Sequence, residues 1–143
     1  MSSSAAMVIT DTSGELYQQT SGQLADRGFD IRVFNLMDLA SGEQYNTLSG
    51  DLTHTSVAQK AELIVSSKNP NPRDPFWDQG AATLLRVFIQ AMVNNGDASM
   101  INLPNLNYLL AAFSSTTTRL SVDHFINQAC VHDPLTLHAY LRA

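Results

Sequence analysis

The stretch DPFWDQGAATLLRVFIQAMV, Asp74–Val93, decides the fold. Ala81, Leu84, Leu85, Phe88, Ile89 and Met92 fall on one side of a helical wheel, while Gln79, Arg86, Gln90 and Asn94 lie largely off it. So wide an apolar stripe predicts a helix at the centre of the core. Asp74-Pro75 opens it, with an acceptor at the cap and a ring of fixed φ at the first helical position. Asp74 and Asp78 also carry the charge that a helix N-terminus favours. Phe76 and Trp77, in the first turn, are expected to anchor the helix in the core, with Trp77 mostly buried, because aromatic side chains bury large apolar areas.

Helical spacing extends outward on both sides of this stretch. Val57, Ala61 and Ile64 share a face of a helix that Ser56 is expected to open, with Gln59 completing a capping box. Leu106, Leu109, Leu110 and Phe113 repeat the spacing after Pro104, and Val122, Phe125, Ile126, Ala129 and Cys130 repeat it again. Asp133-Pro134 is a second cap of the Asp-Pro kind. From Ser49 onward nothing reads as a strand, and the expectation is a bundle of about five helices. Ser114–Thr118, SSTTT, is a short polar connection within it.

The N-terminal part has another character. MVIT, Met7–Thr10, reads as a strand, Gly14 to about Arg27 as a helix that Gly28 ends, and IRVFNL, Ile31–Leu36, as a second strand. The fold expectation is therefore mainly α, with a small N-terminal βαβ piece. Parallel strands normally sit in a larger sheet covered on both faces, so two strands alone look cut from something bigger. The expected division is a loose tail over 1–6, the βαβ fragment over 7–48 and an all-helical domain over 49–143.

Composition limits the function classes. The 143 residues are 44% hydrophobic and 15% charged, enough for one ordinary core. Eight Lys and Arg against thirteen Asp and Glu leave a formal charge of -5, which disfavours a surface for a phosphate backbone. Little or no DNA binding by this chain alone is expected. The single cysteine, Cys130, rules out an internal disulfide and fits a reducing compartment, and no apolar run reaches the roughly 20 residues that span a bilayer. The chain reads as cytoplasmic.

Asp11, at the end of MVITD, has two readings. A strand delivering a carboxylate suits a nucleotide hydrolase, yet a phosphate-binding loop needs glycines followed by Lys, and none of the seven glycines is. The structural alternative has Thr12 capping the following helix, with Glu15 reaching back as in a capping box. His54, His124, His132 and His138 show no paired metal-ligand spacing, although His124 and His132 are about two turns apart. Cys130 lies on an apolar stripe, where an inert buried thiol is expected, and no nucleophile elbow of the Gly-x-Ser-x-Gly kind occurs. No catalytic or metal-binding residues are assigned.

Four motifs in succession carry a resemblance. VITDTSGELYQQTSGQLADRGFDIRVFNL, then YNTL with Asn46, then DPFWDQGAATLLRVFI with Asp74, Pro75, Phe76, Trp77, Asp78, Gln79 and Gly80, resembles the conjugative coupling ATPases of type IV secretion systems, the TraG/TraD-like family. Members carry Asp-Pro-Lys-Gly-Glu-Leu-Tyr, Val-Phe-Asn, Asn-Pro-Leu and Phe-Trp-Asp-Gln-Gly-Ala in this order. The likeness runs from Met7 to about Asn95; beyond it only helical character agrees. Thr12-Ser13 stands where the family has Pro-Lys, and Thr47 where it has the proline of Asn-Pro-Leu.

The resemblance implies a RecA-like nucleotide domain interrupted by an all-helical domain, of which this chain would hold the end of the first half and the insertion. ATP and magnesium would belong to the full-length parent, with no cofactor in this chain, and Asp11, Gly14 and Glu15 would lie near the edge of the nucleotide site. It implies relaxase, adaptor or effector protein substrates, other coupling-protein subunits in a hexamer, and a parent anchored in the bacterial cytoplasmic membrane. Three roles stay open: an all-alpha substrate-recognition domain, a fragment lending a loop to ATP hydrolysis in the assembled motor, and a free-standing helical scaffold.

Overall fold

The helix foreseen in Asp74–Val93 is the hub of the computed structural model, which describes residues 6–38, 40–68 and 75–142. The chain divides into two compact units, Met1–Tyr45 and Asn46–Ala143.

In the second unit the described residues form α2 (His54–Lys68), α3 (Pro75–Asn94), α4 (Leu103–Ser114), α5 (Arg119–Ala129) and α6 (Pro134–Tyr140), after α1 in the first unit (Glu15–Asp26). A single 3-10 turn, Ala98–Met100, precedes α4. α3 packs against α2, α4, α5 and α6, and α4 packs against α5. Every residue from Val87 to Met92 is buried, so this part of α3 is enclosed on all sides rather than along one stripe. Gln90, placed off the stripe by its polarity, is buried with the rest. Around α3 the core takes Val57 and Ala61 from α2, Leu106 from α4, Val122 and Ile126 from α5, and Cys130.

Aromatic contacts close the far side of this core. Phe88 meets Phe113 edge-on at 5.5 Å between ring centroids, and Tyr140 lies 6.1 Å from Phe113. The guanidinium of Arg119 stands 3.8 Å from the Phe113 ring centre, a cation–π contact that ties the start of α5 to α4. The Tyr140 hydroxyl donates to Asp123, which fixes α6 on α5.

Short polar residues set the helix starts. Asp133 Oδ1 accepts the Thr136 N–H at 3.1 Å, with Pro134 following, as Asp-Pro predicts. Asn102 caps α4 through the Asn105 N–H at 2.9 Å. The cap of α2 comes earlier than its expected Ser56: Thr53 Oγ1 faces the Ser56 N–H, and the Ser56 hydroxyl donates to the Asp51 carbonyl. Asp74, the expected cap of α3, lies outside the described residues, as do residues 1–5 of the expected tail.

The first unit corrects the βαβ expectation. α1 is present, and Gly28 ends it at φ 84°, where the Phe29 N–H reaches the Leu24 carbonyl and the Gly28 N–H reaches that of Ala25. Both expected strands, however, are extended chain without a ladder: among the described residues no strand forms. Val8, Phe34 and Leu36 are exposed. A parallel strand needs neighbours to take its slanted hydrogen bonds, and a two-stranded sheet is marginal. The Glu43 N–H bond to the Val33 carbonyl, 2.9 Å, is a loop closure in place of a sheet.

Among the described residues no helix is long and apolar enough to cross a membrane.

Candidate functional site

Asp11 is held by the turn it begins. Its Oδ1 accepts the Gly14 N–H at 3.0 Å and its Oδ2 accepts the Tyr17 N–H at 2.9 Å. The Tyr17 bond is the strongest influence on the carboxyl, whose pKa lies below the ordinary aspartate value; partial burial opposes the shift, and the Gly14 N–H adds to it. Thr12 is therefore not the residue that caps α1. Gly14 stands at the N-cap with φ 79°, a left-handed conformation that glycine alone adopts at no steric cost, and this bend brings the amides of the first turn toward Asp11. Glu15 begins α1, exposed, with its charge at the favourable end.

Asn46 joins two parts of the helical unit. Its Nδ2 donates to the Ile101 carbonyl at 2.6 Å, and its Oδ1 accepts the Leu48 N–H at 3.0 Å. The residue thus fixes the segment before α2 against the turn before α4 and seats Leu48, which is fully buried. Lys60 works on the same segment, its ammonium donating to the carbonyls of Ser49 (2.9 Å) and Asp51 (2.6 Å).

At the start of α3 the structure overturns an expectation. Phe76 and Trp77 are 69% and 73% exposed, and they meet edge-on at 5.4 Å. Trp77 does lie on the helical stripe of Ala81, Leu84 and Phe88, but Ala81 is exposed too, and burial deepens only from Leu84 and Leu85. Burial on α3 thus sets in only after its first two turns. Asp78 is half-buried, and Gln79 and Gly80 are exposed. The Gln79 carbonyl accepts the Thr83 hydroxyl at 2.8 Å, and a Cβ at Gly80 would meet nothing within 4 Å beyond its own stretch of helix backbone.

A polar chain that polarity and spacing did not single out crosses the other end of α3. Gln90 Nε2 donates to Asn94 Oδ1 at 3.0 Å, and Asn94 Nδ2 donates to Asp133 Oδ2 at 3.1 Å, with His54 Nε2 3.7 Å from the same oxygen. Burial raises the Asp133 carboxyl, but hydrogen bonds from Thr136 and Asn94 outweigh it and leave the pKa below the ordinary value. The Cys130 thiol, 3.9 Å from Asn94 Nδ2, is pushed up by burial and then by the Asp133 charge, which keeps it protonated and unreactive. The i, i+4 spacing of Gln90 and Asn94 suits a pair on one helix, but the step from Asn94 to Asp133 only the fold reveals. Among the described residues, no three His, Cys, Asp or Glu side chains are grouped to hold a metal ion.

Two positioned regions thus stand out, the Asp11 turn and the exposed aromatic start of α3, and both fall within one family match. The model of the family described as type IV secretory system conjugative DNA transfer matches residues 1–119. The chain belongs to that family. The match spans 119 of the 143 residues, so this conjugative DNA transfer chain carries it through the first unit and through α2, α3 and α4 as far as the first residue of α5. It supports the likeness to type IV secretion coupling proteins that the Asp11, Asn46 and Phe76–Gly80 motifs carry. No curated protein and no solved structure gives a significant match.

Proposed function

We propose that Asn46–Ala143 is the all-alpha substrate-recognition domain of a type IV secretion coupling protein, which delivers protein or DNA-protein cargo to the translocation channel. The family match across both units carries the reading. A helical unit with its own core, built around Phe88, Ile89 and Ile126, is what an inserted recognition domain requires. The chain's formal charge of -5 disfavours direct contact with a phosphate backbone, so the partner on this reading is a protein: a relaxase, an adaptor or an effector.

The first unit is, on the same reading, the edge of a RecA-like nucleotide domain. Its exposed Val8, Phe34 and Leu36 suit strands that would pair and be covered in a larger sheet. ATP and magnesium would be held by other parts of a hexameric, membrane-anchored parent. This chain alone would not hydrolyse ATP, since the Asp11 carboxylate is committed to the amides of Gly14 and Tyr17. That commitment also weighs against the reading in which this loop contributes catalytic groups.

The test is capture of the cognate relaxase or adaptor on the immobilised full chain, with calorimetry for magnesium-ATP alongside. Capture of the protein partner without ATP binding is the expected result. Low-micromolar magnesium-ATP binding with no protein capture would replace this reading with the catalytic one.

A further inference from the structure

We draw no further inference here: the strongest candidate, the exposed edge-to-face pair of Phe76 and Trp77 at the start of α3, is an apolar surface patch for which nothing in the structure shows the occupant.

Discussion

The carboxylate of Asp11 accepts the backbone N–H of Tyr17 at 2.9 Å, across the turn that begins α1. Of the two readings open to Asp11 in the sequence, a catalytic carboxylate or part of a helix start, these bonds fit the second, with Asp11 itself as the local anchor of the helix. Asp11→Ala is expected to fray the first turn, seen as faster amide hydrogen exchange at Gly14 and Tyr17. Unchanged exchange at both amides would show that the turn holds without it.

The same bond sets a pH dependence. The folded-state pKa of Asp11 is depressed, first by the Tyr17 N–H, so its contribution is fully present above the unfolded value and is lost as pH falls through the folded one. Protection of the Tyr17 amide should be flat near neutrality and decline in acid, below about pH 4. Asp11→Asn should remove that acid limb. Identical acid profiles for the wild type and Asp11→Asn would assign the loss to another group.

Trp77 is 73% exposed, and its substitution should behave like a surface change. Trp77→Ala is expected to shift stability by no more than about 0.5 kcal/mol, and iodide should quench the native tryptophan strongly. Weak quenching together with a loss of several kcal/mol would mean that the side chain is packed.

Phe88 is fully buried between Phe113 and Tyr140. Phe88→Ala should cost about 3–5 kcal/mol, from lost transfer energy and the cavity left behind. Since a whole domain holds only about 5–15 kcal/mol, urea denaturation should show the helical unit near the limit of folding. A midpoint close to that of the wild type would contradict the central place of α3.

Asp133 caps α6 and accepts from Asn94 on α3. Asp133→Ala should cost on the order of 1–2 kcal/mol through the cap alone. In a double-mutant cycle with Asn94→Ala the coupling should exceed about 0.5 kcal/mol. Additivity within about 0.3 kcal/mol would show that the two side chains act independently.

The helical part of the fold was legible because apolar residues recur with a 3.6-residue period: Leu84, Leu85, Phe88 and Ile89 announce α3, and Asp133-Pro134 announces α6. What local pattern cannot show is where the neighbours of an element stop. Trp77 shares the stripe of Phe88 yet is exposed, and Met7–Thr10 has strand composition but forms no strand. The Asp11 turn was half legible. Its residue types mark a helix start, but the choice of Asp11 over Thr12 depends on the positive φ of Gly14, which brings the Tyr17 amide within reach. The Gln90–Asn94–Asp133 chain joins residues 39 positions apart in its last step, a distance that no local signal spans.

Recognition of protein cargo by the helical unit is tested most directly by exchanging surface residues beyond the four family motifs. Tyr108 on α4, Leu120 on α5, Val131 on the approach to α6 and Leu135 on α6 are exposed, and replacing them leaves the buried core intact. The full chain, and a variant carrying at these positions the residues of a second system's protein, would each be offered both systems' relaxases or adaptors, with single-stranded DNA as a separate probe at physiological salt. The expected result is capture of the cognate protein at micromolar affinity, in keeping with an interface of under about 1,200 Å², a change of partner choice in the variant, and no tight DNA binding by either. Unchanged partner choice, or tight DNA binding by a chain that ignores every protein offered, would contradict the account.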